Sequence, residues 1–148
     1  MGYAFKFERI LTLKEREKEE VFSLYEESIK KFEEAAEKLY ELLKKKEDME
    51  EYQFQRLQNG LPVEEIRHYQ QFIGNLEKSI DYYQKMVIHA RNRMNYYQEK
   101  LKEKNVEVKK YEKIKERDFA KFIEDLKREE NKQMDEISIQ QQIRYKGN

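Results

Sequence analysis

From residue 66 onward one apolar register holds with a single interruption. Ile66, Ile73, Ile80, Val87, Met94, Leu101 and Val108 form one set, and Tyr69, Leu76, Tyr83, Ala90, Tyr97 and Tyr111 form the other; only Lys104 breaks the pattern. Steps of three then four residues place both sets on one narrow stripe of a helix, the stripe that a second helix must cover in a coiled coil. After Tyr111 the phase slips. Phe119, Phe122 and Leu126 resume the seam one residue late, a stutter that locally unwinds a supercoil.

A matching stripe lies upstream. Phe22, Ile29, Ala36 and Leu43 alternate with Tyr25, Phe32 and Leu39, and Val21, Ala35 and Leu42 widen the stripe to one side. It loosens at Glu15 and Lys18, and again at Lys46, Glu50 and Gln53. Between the two stripes stands the sequence Gln58, Asn59, Gly60, Leu61, Pro62, Val63, Glu64, Glu65. Gly60 suits the left-handed position that ends one helix, and Pro62 suits the first turn of the next, with two acids favouring its N-terminus. These features predict an all-α fold, a long two-helix antiparallel coiled coil. Helix 1 covers about 5–57, the turn 58–61 and helix 2 about 62–139, with 140–148 as a frayed tail of one elongated domain.

A turn this short joins helices only side by side and antiparallel. Facing residues then have numbers that sum to about 120, and the hairpin is roughly 80 Å long at ~1.5 Å per residue. Charge points the same way: the acid-rich stretch 15–37 would face Lys85, Arg91, Arg93, Lys100 and Lys102. Each exposed pair contributes only ~0.2–1 kcal/mol, so charge steers orientation more than it stabilises. Helix 1 runs out opposite about residue 115, leaving helix 2 as a C-terminal helical overhang that carries Phe119, Phe122, Ile123, Leu126, Met134, Ile137 and Ile139. Such a surface calls for a partner, or for folding back onto Tyr3, Phe5 and Phe7, or for a frayed end.

Composition excludes several classes. With 42% charged and 38% hydrophobic residues, the chain suits solvated helices, while its 11 tyrosines, 8 phenylalanines and regular spacing argue against disorder. It has no cysteine, which removes disulfides and thiolate metal sites and fits a reducing, cytoplasmic setting. No apolar run approaches a membrane span or the core of a signal peptide, so neither insertion nor secretion is expected. Gly2 has Lys6 where a myristoylation motif needs Ser or Thr. A formal net charge of zero gives no case for nucleic acid; the basic stripe over 100–115 is interspersed with Glu103, Glu107 and Glu112. His68 and His89 lie three heptads apart, roughly 30 Å along a helix, and cannot share a metal. No phosphate loop, nucleophile constellation or water-excluding cleft is evident, so no catalytic residue, metal or cofactor is expected and the protein is not read as an enzyme.

Phe72 stands off the seam, on the flank of the hairpin near the turn. It either covers the seam from the side or serves as an aromatic anchor for a partner. Its surroundings narrow the choice. Tyr69, Gln70, Gln71, Phe72 and Ile73, followed by Leu76, Glu77, Lys78 and Ile80, resemble the signature segment of the FliJ family, the coiled-coil component of the bacterial flagellar type III export apparatus. Lys132, Gln133, Met134, Asp135, Glu136 and Ile137 resemble the family's terminal segment, and Phe5, Lys6 and Phe7 with Ile10, Leu11 and Leu13 are similar to the start of its Gram-positive members.

The resemblance implies a non-catalytic stalk, similar to the central subunit of rotary ATPases. Its implied partners are the hexameric export ATPase and the cytosolic domain of the membrane export gate, with substrate chaperones as further clients. It implies a cytoplasmic protein held peripherally at the flagellar base. It places Tyr69, Gln70, Gln71, Phe72, Leu76 and Tyr83 in the gate-contacting half, and Phe7, Leu11, Phe119, Phe122, Met134, Asp135 and Glu136 at the ATPase end. Lys45 and Met49 depart from the family's pattern opposite Phe72, which puts a contact from helix 1 in doubt. A substrate-specific export chaperone and a homodimeric coiled-coil scaffold remain alternatives.

Overall fold

The structure, a computed structural model, describes residues 2–147. Two helices, α1 (Glu8–Gln58) and α2 (Val63–Lys146), pack against each other, and no strand occurs among the described residues. Contacts group them into two compact units, Glu19–Lys102 and the pair Met1–Lys18 with Glu103–Asn148.

The unit Glu19–Lys102 contains the turn. Gly60 takes φ +83°, a conformation that a residue with a Cβ adopts only at a cost. Its amide and that of Asn59 close the end of α1 onto the carbonyls of Leu57 and Arg56, at 3.2 and 3.1 Å. The Pro62 carbonyl opens α2 by accepting from Glu65 and Ile66. An Arg56–Glu65 ion pair at 3.1 Å ties the two helix ends together. Beyond the turn the antiparallel register continues through Lys46–Glu77 at 3.5 Å, and Arg91 lies 5.7 Å from the Phe32 ring. The facing numbers stay close to the expected sum.

On the part of α2 that lies in this unit the covered residues are those of the sequence register, with Leu76 and Ile80 the most enclosed. On α1 the set of Tyr25, Phe32 and Leu39 is covered as expected, whereas the other set is centred one residue earlier, with Ile29 and Ala36 still half-covered beside it. Val21, Ser28, Ala35, Leu42 and Met49 alternate with Tyr25, Phe32, Leu39, Lys46 and Gln53 as the covered positions. Phe22 and Leu43, expected inside, are 48% and 42% exposed. Charge pairing also differs from the expectation: Lys85 pairs with Asp81 and Lys102 with Glu99 along α2 itself, and Arg91 reaches α1 through a ring face.

In the other unit, α1 does not begin at residue 5. Tyr3 and Phe5 lie in a stretch without regular structure, and Lys6 and Phe7 form the turn that leads into α1, where the Glu8 amide donates to the Phe5 carbonyl at 3.3 Å. This segment lies against α2, where buried Phe5, Leu11 and Val108 form a small core with Tyr3, Phe7, Tyr111 and Ile114 around it. At its far end α2 continues past residue 139 to Lys146, so the expected tail is helical through that point. No glycine or proline occurs between Gly74 and Gly147, whose amide donates to the Ile143 carbonyl at 2.9 Å. From Leu126 onward its apolar side chains, including Met134 and Ile137, stand in solvent.

Four charges interrupt the core of this unit. Lys104 and Lys14 each approach both Glu17 and Glu107, at 3.1 to 3.8 Å. The Glu107 Oε2 atom is shielded from water and lacks a conventional hydrogen bond, so the two ammonium groups are what hold it. The hydrogen bond from Lys104 holds the Glu17 carboxyl below its usual 4.5, while that same bond raises Lys104 above 10.5. A lowered acid contributes stability above its unfolded value and loses it as pH falls; a raised lysine loses its contribution only as pH climbs past 10.5. The network therefore acts in full between about pH 4.5 and 10.5. On acidification below pH 4.5 the melting temperature of the native chain falls further than that of Glu17→Gln, as thermal melts across a pH series would show.

Candidate protein interface

The residues implicated near the turn all fall in the unit Glu19–Lys102. Phe72 sits on the flank of the seam, 38% exposed, because its position follows the covered Tyr69 by three residues and precedes Ile73. The Lys45 ammonium lies 5.3 Å from the centre of its ring. A cation over an aromatic face is worth ~0.5–1 kcal/mol at an exposed site. The lysine that departs from the family's pattern thus has a physical role: it fixes the ring from the opposite helix.

Its neighbours divide into supports and contacts. Leu76 is only 6% exposed and lies inside the seam, so it holds the helix under Phe72 and offers little side chain of its own. Tyr69 is half-covered, and burial, with Glu50 adding to it, pushes its phenol above the usual value. Gln70 and Gln71 face solvent. Tyr83 packs its ring edge-on against exposed Tyr82, with centroids 5.2 Å apart. The groups exposed here are therefore Phe72, with Lys45 over its ring, and the two glutamines beside it.

The residues implicated at the other end fall in the unit of Met1–Lys18 and Glu103–Asn148, and they do not form one patch. Leu11 is buried in the small core, and Phe7 packs beside it against Tyr111. Phe119 and Phe122 are bracketed by the Tyr3 ring, at centroid distances of 5.1 and 5.3 Å. The Tyr3 hydroxyl donates to the Asp118 carboxylate at 2.8 Å. Burial, with that acceptor, pushes the phenol up to about 12. Lys115 closes the strap through Glu8 at 2.9 Å. Met134, Asp135 and Glu136 lie farther along α2, fully exposed.

The overhang thus starts later than expected. The N-terminal segment reaches α2 as far as Phe122, leaving Phe119 still 46% exposed, and beyond that contact the exposed apolar stretch continues through Leu126, Met134 and Ile137. Of the outcomes open to this surface, folding back onto Tyr3, Phe5 and Phe7 is the one seen at Phe119 and Phe122. On α1 the seam includes Ser28, which carries no apolar signal in the sequence, and Ala35, which the sequence placed only at the widened edge of the stripe. Among the described residues no group of three or more His, Cys, Asp or Glu could hold a metal ion, and no helix is long and apolar enough to cross a membrane.

The sequence profile of the Flagellar FliJ protein family matches residues 3–147. The chain is 50% identical over 141 residues to the flagellar FliJ protein of Bacillus subtilis strain 168, an overlap of 95% of this chain and 96% of that one. No solved structure matches it.

If Tyr3 is what covers Phe119 and Phe122, Tyr3→Ala raises the fluorescence of a dye that binds exposed apolar surface. Tyr3→Phe, which keeps the ring and loses only the hydrogen bond to Asp118, leaves the signal near that of the native chain.

Proposed function

Since this chain belongs to the FliJ family, we propose that it serves as a non-catalytic, stalk-like component of the flagellar protein export apparatus. In this reading it binds the hexameric export ATPase, promotes its assembly and activity, and couples it to the cytosolic domain of the export gate. It also escorts substrate chaperones, and it works at the cytoplasmic face of the membrane beside the gate.

One observation supports it above the rest. Helix α2 continues as an intact helix beyond the residues that cover it, and there it carries Leu126, Met134, Ile137 and Ile143 in solvent. Apolar residues repeated on an exposed helix favour association, since covering a leucine-sized side chain contributes ~1.5–3 kcal/mol. A ring of similar subunits offers such a helix several equivalent surfaces. The charged residues interspersed along it, such as Arg128, Glu129, Glu130 and Lys132, then supply many weak contacts without one deep anchor. At the other site, Phe72 with Lys45 across its ring is the fixed aromatic group that a gate segment would meet.

The test is the hydrolysis rate of the cognate export ATPase, below the concentration at which it oligomerises well, as this protein is added. Met134→Ala with Ile137→Ala should raise the concentration needed for half-maximal stimulation about tenfold, the effect of losing ~1.4 kcal/mol of binding. Phe72→Ala should leave stimulation unchanged. Absence of stimulation by the native chain at any concentration would contradict the stalk reading and favour a substrate-specific chaperone.

A further inference from the structure

Within the unit Glu19–Lys102 the seam is not filled evenly. Ser28 and Ala35 occupy successive covered positions on α1, and Ala90 occupies one on α2. Where three small residues converge, the helices cannot interdigitate to the density of an ordinary core. The result is an open groove of about 510 Å³ along one flank, lined by these three residues, with Tyr83 and Met86 forming its apolar wall. Phe32, the large residue between Ser28 and Ala35, does not fill it. Arg91 covers the face of Phe32, and neither residue lines the groove.

The rim is charged in a definite sense. Lys31, Lys38 and Arg93 stand on it with a single carboxylate, Glu34, and with His89. Lys31 is tied to Glu27 at 3.2 Å, whereas Lys38 and Arg93 have no carboxylate partner among the described residues. Along α2, the positions on this side, Tyr82, Met86, His89, Arg93 and Tyr96, include no acid. In a chain with equal numbers of acids and bases, this flank therefore presents two uncommitted cations above an apolar floor.

We infer that this groove docks an acidic, amphipathic peptide segment of a partner protein. An apolar side chain of that segment enters between Ser28, Ala35 and Ala90, and carboxylates on either side of it meet Lys38 and Arg93. A bare polyanion such as RNA suits the site less well. It has no side chain to enter the floor between Ser28, Ala35 and Ala90. A hydrophobic ligand alone would leave the two cations unused. The inference does not rest on the assignment of Phe72 to the export gate, because Phe72 does not line the groove.

Methyl-resolved NMR on the full chain tests it. The probe is a helical peptide with one phenylalanine between two glutamates on the same face, alongside one version with alanine for the phenylalanine and another with glutamines for the glutamates. Signals of Ala35, Met86 and Ala90 should move on titration, and both altered peptides should bind about tenfold more weakly, a difference of ~1.4 kcal/mol. Arg93→Glu and Lys38→Glu, both exposed, should each weaken the original peptide several-fold. Ala90→Leu should block the groove, with circular dichroism checking that the helices remain paired. Three results would overturn the inference: unmoved signals at Ala35 and Ala90, equal binding of the glutamine peptide, or heparin moving those signals as strongly as the peptide does.

Discussion

Helices as long as α1 and α2 gain little from their own hydrogen bonds in water; they persist because each buries a stripe against a neighbour. That lateral burial is the constraint on which the rest of the structure depends. It explains why the buried set is so small. Among the described residues only Phe5, Leu11, Leu76, Ile80 and Val108 are buried apolar residues, and none is fully enclosed. Two helices can shield a line of side chains but not a volume. Stability is therefore spread along the seam, and each local departure has a local effect.

Three departures define the functional character of the chain. Where the seam contains lysine, as at Lys14 and Lys104, the ammonium groups are held by Glu17 and Glu107. A polar layer of this kind contributes less than an apolar one, yet it distinguishes the native register from a slipped one, since a slip would strand charges against leucine and valine. Where the seam contains small residues, a groove opens at Ser28, Ala35 and Ala90. Where the seam has no second helix, the non-helical segment of Tyr3, Phe5 and Phe7 packs against it, and beyond Phe122 that contact ends.

Much of this was legible in the sequence, because α2 writes its register in large residues. Ile66 through Tyr111 named both seam sets, and the pairing sum followed from Gly60 and Pro62 alone. The α1 register was less legible. Two of its large apolar residues, Phe22 and Leu43, lie on a flank, while the seam includes Ser28, Lys46 and Gln53 beside Tyr25 and Phe32. A count of hydrophobic residues favours the former, but the partner helix and the turn fix which positions face inward. The same limit hid the exchange of Arg91 from an ion pair to the Phe32 face. Folding back onto Tyr3 was one of several outcomes the sequence left open, because its contacts are more than a hundred residues away along the chain. Of the implicated surface residues, the sequence identified Phe72 and Met134 as accessible groups, but it could not separate them from Leu76 and Leu11, which the seam encloses.

Backbone amide hydrogen exchange along α2 tests the central claim most directly, because it reads the stability of each turn of helix in place. If lateral burial is what holds the helix, amides over 69–115 exchange slowly, protection declines near Phe122 where the Tyr3 strap ends, and amides over 126–146 exchange rapidly although they are helical. Uniform slow exchange through Lys146 in the isolated chain would contradict the account, since it would mean that the overhang is already covered or is stable without a partner.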